Sequence, residues 1–166
     1  TLEITGPIDR VIEQIKENMP RKKIVVLASG DPLFYGIGST LSTCIDKKYL
    51  VIHANITSAA AAFAAIAVPW HDAKIVSLHG KSSQVFSFSS LKGETKVAFL
   101  TDQTRDPAYI ASMLIKLELV GFKICVLENL GAEQEKISWF DNSDRVADLK
   151  FAHPNMVILL KEGTPQ

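Results

Sequence analysis

No charge of either sign predominates in this chain: 18 lysines and arginines stand against 18 aspartates and glutamates. That balance removes the basic stripe expected of a nucleic-acid binder, while leaving open a local basic pocket for an anionic small molecule. Cysteine is scarce. Cys44 and Cys125 are the only two, too few for a disulfide framework and in keeping with a reducing, cytoplasmic setting. Long apolar runs are missing as well: none reaches the roughly 18 residues that a membrane-spanning helix needs. The four histidines, His53, His71, His79 and His153, show no metal-ligand spacing and no cysteine partners, so no metal site is expected. There is no G-x-x-x-x-G-K-[ST] cradle and no G-x-S-x-G elbow, and Gly36-x-Gly38-x-x-Leu41 misses the last glycine of the dinucleotide fingerprint. Phosphate binding and triad catalysis are therefore disfavoured.

What is present is apolar enough for a packed core: 47% of the residues are hydrophobic and 22% charged. Six apolar runs predict strands at 23–29, 49–54, 74–78, 96–101, 123–128 and 156–160. Most are continuous in Val and Ile, the pattern of strands buried on both faces. Helical patterns lie among them. Residues 7–18 place Ile8, Val11, Ile12 and Ile15 on one stripe, and 58–67 are alanine-rich around Phe63. Residues 106–118 open with Asp106-Pro107 as N-cap and first helical residue, and Val120-Gly121 ends them. A short helix is expected within 143–149. The alternation predicts an α/β fold with largely parallel pairing. The stretch VFSFSS, 85–90, predicts an extra edge strand or a strand–turn pair. The Gly-, Ser- and Lys-rich stretch 79–95 reads as a softer region, and the chain divides near it into domains 1–74 and 75–166.

The loops after these strands carry the candidate chemistry. LASGDPLFYGIG, 27–38, gathers far more turn residues than a plain connection requires. Asp31 caps the following turn, Pro32 suits a first helical position, and Gly30 and Gly36 leave room for backbone or ligand to approach. A tight turn with no ligand explains the stretch equally well. Thr57 or Ser58 caps the alanine-rich helix, whose small residues also admit a flat ligand. Later strands end in His79-Gly80-Lys81, in Thr101-Asp102 and the run to Pro107, and in Glu128-Asn129-Leu130-Gly131. Five such ends suggest one shared rim, because ligands of open α/β sheets bind at the carboxyl ends of strands.

In order, the segments SGDPLFYGIG, NITSAAAAFAAIAVPWHDAKIVSLHGK, LTDQTRDPAYIASMLI, CVLENLGAEQEKI and PNMVILL resemble the tetrapyrrole methylase superfamily. Within it, GDPLFYGIG, PWHDAKIVSLHGK and ENLGAEQE look most like the cobalt-precorrin-7 (C5)-methyltransferases and the matching half of fused precorrin-6Y methylases. The resemblance covers nearly the whole chain. It implies two α/β domains with S-adenosylmethionine in the cleft they form, a homodimer, and a step of corrin-ring building in cobalamin synthesis. It also suggests as a partner the C15-methyltransferase/decarboxylase of the same pathway. Ser29, Gly30, Asp31 and Phe34 match the loop against the methyl donor; Thr57 and Ser58 match a small-polar pair. His79 falls where relatives often carry methionine, and Asn129, Leu130 and Gly131 fall on a loop near the adenosine. The family normally opens with an apolar strand and a Gly-Pro-Gly loop. The start TLEITGPIDRVIEQI resembles the family's segment just downstream of those elements, so the first domain is expected to be short of roughly one βαβ unit.

Transfer from a sulfonium to an electron-rich ring carbon demands alignment and water exclusion more than a protein nucleophile, and alignment supplies on the order of 7–11 kcal/mol at best. Lys81, Arg105 and Tyr35 are candidates for the tetrapyrrole side, the two cations for its carboxylates or else as solvated surface charge. His79, Asp102 and Glu128 are candidates to relay a proton from the methylated ring. Two other readings are a methyltransferase of the same superfamily acting on protein or ribosomal RNA, and a non-catalytic α/β assembly module.

Overall fold

The computed structural model describes residue 4 and residues 7–79 and 86–163. Lys81 and Val85 lie outside them. Packing of the backbone divides the chain into two compact units, Thr1–Thr57 and Ser58–Gln166.

The first unit is built on two helices. In α1, Ile8–Asn18, the apolar stripe read from the sequence faces inward, with Asp9 in the first turn and Lys16 in the last complementing the helix dipole. Ile12 is buried with Leu41 and Ile45, and Ile8, Ile15, Val26 and Leu50 pack around them. The second helix, α2 (Ile37–Cys44), starts with Gly36 in the N-cap position. It does not start at Pro32, as the sequence suggests, because the chain first makes a tight turn around Asp31. The two predicted strands of this unit, 23–29 and 49–54, are not paired into a sheet among the described residues. They leave Val25, Leu27 and Val51 outward, at 82%, 85% and 80% exposure. Their β-rich sequence encodes an extended chain, but none of the described residues pairs with it in a ladder.

The second unit is a five-stranded sheet covered on both faces. Its strands are β1 (Lys74–Ser77), β2 (Lys96–Leu100), β3 (Phe122–Glu128), β4 (Lys136–Phe140) and β5 (Asn155–Lys161). Their spatial order is β1-β2-β5-β3-β4. Only β1 and β2 pair in parallel; β5 runs antiparallel to both β2 and β3, and β4 antiparallel to β3. The expectation of largely parallel pairing is thus corrected to a mixed sheet. Continuous Val/Ile runs report two covered faces, not strand direction, and β5 is covered on both. On one face Val76, Val97, Phe99, Ile124, Val126, Val157 and Leu159 pack with Ile110, Ala111 and Leu114 of α4 (Pro107–Lys116) and with Val146 of the short α5 (Asp144–Ala147). On the other face α3 (Ser58–Ala65) lies on β2 and β5, burying Ala59, Ala62 and Phe63. Residues 58–73 therefore group with this sheet. Each fully buried Leu, Ile or Phe contributes about 1.5–3 kcal/mol.

Two helix signals resolve differently. Asp106 Oδ1 accepts from Tyr109 N at 2.8 Å with Pro107 following, as read from the sequence. The other end of α4 is closed by Glu118 in the left-handed region, with Leu119 N donating to Leu114 O at 2.9 Å; Gly121 instead leads into β3. The predicted strand at 85–90 is replaced by a 3-10 turn at Phe88–Leu91, where Phe88 stacks on Phe99 with centroids 5.7 Å apart.

The PWHDAK segment owes its sequence to packing. Trp70 stacks on Phe63, 5.9 Å and 7° between planes. The buried Lys96 donates to Pro69 O and to Asp72 Oδ1, each at 2.9 Å. The hydrogen bond from Lys96 holds the Asp72 carboxyl below its ordinary range.

Candidate functional site

In the first unit the glycine-rich stretch folds into a turn governed by Asp31. Its Oδ1 accepts from Leu33 N at 2.8 Å, and its backbone carbonyl from Phe34 N at 3.1 Å. Its Oδ2 accepts from Asn55 N at 3.2 Å, across 24 residues of chain. One carboxylate thus shapes its own loop and ties that loop to the start of the 55–57 stretch. Gly30 adopts φ +64°, and a Cβ there would stand 3.5 Å from Ile56 O, so both loops run close together. Gly36 and Gly38 have a different purpose: a Cβ would come within 2.7 and 2.6 Å of Pro32 O. What approaches these glycines is the chain's own backbone. A depression of about 450 Å³ lies alongside, lined by Leu27, Ser29, Tyr35, Gly36, Ile37 and Thr40 among others. Tyr35 is exposed, at φ +54°, with its ring edge-on to Phe34 at 5.0 Å.

In the second unit β1, β2 and β3 all run the same way, β5 entering antiparallel to both β2 and β3. His79, the 101–105 loop and the 129–131 loop therefore leave from one edge of the sheet. That edge is tightly cross-braced. Arg105 Nη1 donates to Leu78 O at 2.9 Å and lies 3.3 Å from Asp102 Oδ2. This guanidinium edge joins the end of β1 to the loop after β2. Asp102 Oδ1 accepts from Thr104 N, Thr104 Oγ1 and Arg105 N at 2.9, 2.8 and 2.7 Å. Burial pushes the Asp102 carboxyl up, but the amides of Arg105 and Thr104, the Thr104 hydroxyl and the Arg105 charge together hold it below its ordinary range. Both residues thus have structural occupations that their spacing alone did not disclose. The His79 amide donates to Ser77 Oγ at 3.3 Å.

The 129–131 loop is held by hydrogen bonds at both of its ends. Asn129 and Gly131 both have positive φ, 51° and 81°. Asn129 N donates to Pro154 O at 2.8 Å, and Gly131 N to Glu135 Oε2 at 2.6 Å. Glu135 went unread in the sequence, although its spacing of four from Gly131 is the signal that identifies it. Glu128 is buried, with Oε1 accepting from Ala152 N at 2.6 Å. Asn155, also unread, is buried at the start of β5, just before the apolar run 156–160. Cys125 is inert: burial pushes its thiol up to about 12. Among the described residues no group of three His, Cys, Asp or Glu side chains could hold a metal ion.

Across 29–34, 55–58 and 129–131 there is no cationic side chain, and Asp31 is the one formal charge. The mixed sheet of the second unit, with helices on its faces and loops gathered at one edge, defines an α/β protein.

The comparisons place this architecture. Residues 4–140 match the family model of the Tetrapyrrole (Corrin/Porphyrin) Methylases. The chain is 37% identical over 142 residues to a cobalt-precorrin-7 C(5)-methyltransferase of Salmonella typhimurium, a match covering 85% of this chain and 67% of that one. It is 35% identical over 141 residues to a probable cobalt-precorrin-7 C(5)-methyltransferase of Methanocaldococcus jannaschii, covering 83% and 64%. Among solved structures, the uroporphyrin-III C-methyl transferase of Thermus thermophilus, complexed with S-adenyl homocysteine, superposes with a TM-score of 0.72 at 17% identity, covering 91% and 72%. The matched segment thus spans about two thirds of the length of these relatives. The chain belongs to the tetrapyrrole methylases.

Proposed function

We propose that this chain carries out the S-adenosylmethionine-dependent methylation of carbon 5 of a precorrin or cobalt-precorrin ring in cobalamin synthesis. The observation that carries the reading is the cation-free pair of stretches that Asp31 ties together, 29–34 and 55–57, in a chain more than one third identical to C(5)-methyltransferases. When bound, the sulfonium supplies an already activated methyl group. The protein's part is then to position and to exclude water, which is consistent with a rim of loops held by internal hydrogen bonds.

Each group of residues has its own role. Ser29, Gly30, Asp31 and Phe34, with Thr57 and Ser58, hold the donor. Asp31 keeps their loops in register and adds a favourable charge for a cation. Asn129, Leu130 and Gly131 receive the adenosine, with His79 at the same edge of the sheet. Tyr35 and Lys81 serve the tetrapyrrole. Arg105 serves it with whatever guanidinium edge is left after Leu78 and Asp102. The reading includes two α/β domains, a cytoplasmic homodimer and the C15-methyltransferase/decarboxylase as a neighbour in the pathway. Support for the domain pair is the separate packing of the two units. The outward Val25, Leu27 and Val51 further suggest that the first unit's extended segments are covered in the working protein.

The test is calorimetric titration with S-adenosylhomocysteine, followed by incubation with S-adenosylmethionine and a C5-unmethylated precorrin. Saturable binding and a product heavier by one methyl group are expected. Absence of heat at millimolar ligand removes the methyltransferase reading.

A further inference from the structure

A row of polar side chains crosses the loop-bearing edge of the sheet in the second unit. Thr101 follows β2, Asn155 opens β5, Glu128 ends β3 and Lys136 opens β4; Glu128 is in register with both Asn155 and Lys136. Thr101, Asn155 and Glu128 are all buried, at 5–6% exposure. Thr101 Oγ1 donates to the Asn155 carbonyl and to Oδ1. Asn155 Nδ2 donates to Ala152 O at 2.8 Å. Ala152 N in turn donates to Glu128 Oε1 at 2.6 Å, and two residues on Pro154 O accepts from Asn129 N at 2.8 Å. The result is a closed circuit that clips residues 152–154 onto the end of β3.

Glu128 is the expensive member of that circuit. Its Oε2 is buried and has no hydrogen-bond partner among the described residues; Lys136 Nζ stands 3.7 Å away, at ion-pair distance but beyond hydrogen-bond reach. Burying a carboxylate costs several kcal/mol, and an apolar residue at the same place would avoid it. The adjoining Asn129 sits in the left-handed region, which asparagine tolerates better than most side chains, and its amide is tied there to Pro154 O. These observations meet in one place. We propose that Glu128 is a positioning residue for the Asn129–Gly131 loop. It acts through Ala152: its Oε1 fixes the 152–154 segment, whose Pro154 carbonyl then fixes the Asn129 amide. The operative element is the hydrogen bond and not the charge. The inference rests on the reading that this loop receives the adenosine, and it gives Glu128 a task other than proton relay.

The experiment compares Glu128→Ala, Glu128→Gln and Glu128→Asp in the whole chain. Glutamine keeps an acceptor at the Oε1 position. Aspartate keeps the charge but withdraws the oxygen by one methylene from Ala152. Two readouts are used: amide hydrogen exchange at Asn129 and Ala152, with β1 as internal reference, and the dissociation constant of S-adenosylhomocysteine. For Ala and Asp, exchange at both amides speeds up and binding weakens about tenfold, the net worth of one such hydrogen bond. Glutamine stays within about twofold of the parent in both readouts. If the alanine variant fails to fold, the aspartate–glutamine pair decides alone. The proposal is overturned if aspartate behaves like the parent while glutamine loses protection and affinity, or if all three leave Asn129 exchange unchanged. Should the parent bind no S-adenosylhomocysteine, the proposed function fails, while the exchange pattern still decides the role of Glu128.

Discussion

Replacing Asp31 with alanine removes two hydrogen bonds at once, to Leu33 N at 2.8 Å and to Asn55 N at 3.2 Å. Both lie at exposed positions, where water competes, so each is worth no more than an ordinary neutral hydrogen bond and the loss is about 1–2 kcal/mol in total. If the 29–34 and 55–58 loops hold the methyl donor, this loosening weakens ligand binding about 5- to 30-fold. The charge makes a second, separable prediction. S-adenosylmethionine is a sulfonium cation and S-adenosylhomocysteine a neutral thioether. Asp31→Asn retains one acceptor for Leu33 N but loses the charge, so it should penalise the cation more than the thioether. Isothermal titration of both ligands against parent, Asn and Ala variants measures both effects. Equal losses for the two ligands in Asp31→Asn would refute the electrostatic part. Unchanged affinity in Asp31→Ala would refute the assignment of the loop itself.

Other consequences are local. Gly38→Ala places a Cβ 2.6 Å from the backbone oxygen of Pro32, so urea unfolding should show a loss of about 1–3 kcal/mol from overpacking. Asp72→Ala should lower the thermal midpoint more than Lys96→Met. The first leaves the buried Lys96 ammonium without its anion, whereas the second leaves a half-exposed carboxylate that water solvates. Asp72 and Asp102 titrate below the ordinary 3.8. The unfolded chain therefore binds more protons across that window, and the stability they confer is present above it and lost as pH falls through the folded-state values. Urea midpoints should drop on acidification below about pH 4, and Asp102→Asn should flatten the drop.

The sequence spoke most clearly where local chemistry and burial agree. Asp106-Pro107 marked the start of α4, the isoleucine stripe marked α1, and four of the six apolar runs became β1, β2, β3 and β5. It was silent on pairing. Whether Val157–Leu160 lies parallel or antiparallel to its neighbours depends on how the chain returns, and covered strands of either kind read alike. The exposed, short KISWF gave too little alternation to predict β4. At the rim, turn residues such as Gly30 and Asp31 announced themselves, because special backbone geometry restricts residue choice. The occupations of Arg105, Glu128 and Asn155 did not, because they depend on partners 24–54 residues distant in sequence.

One titration goes to the centre of the account. Isotope-labelled chain is followed by amide resonances while S-adenosylhomocysteine is added. The account predicts that amides of 29–34, 57–58 and 129–131 shift together along one saturation curve. Shifts confined to only one of these loops, or appearing elsewhere while all three stay fixed, would contradict it.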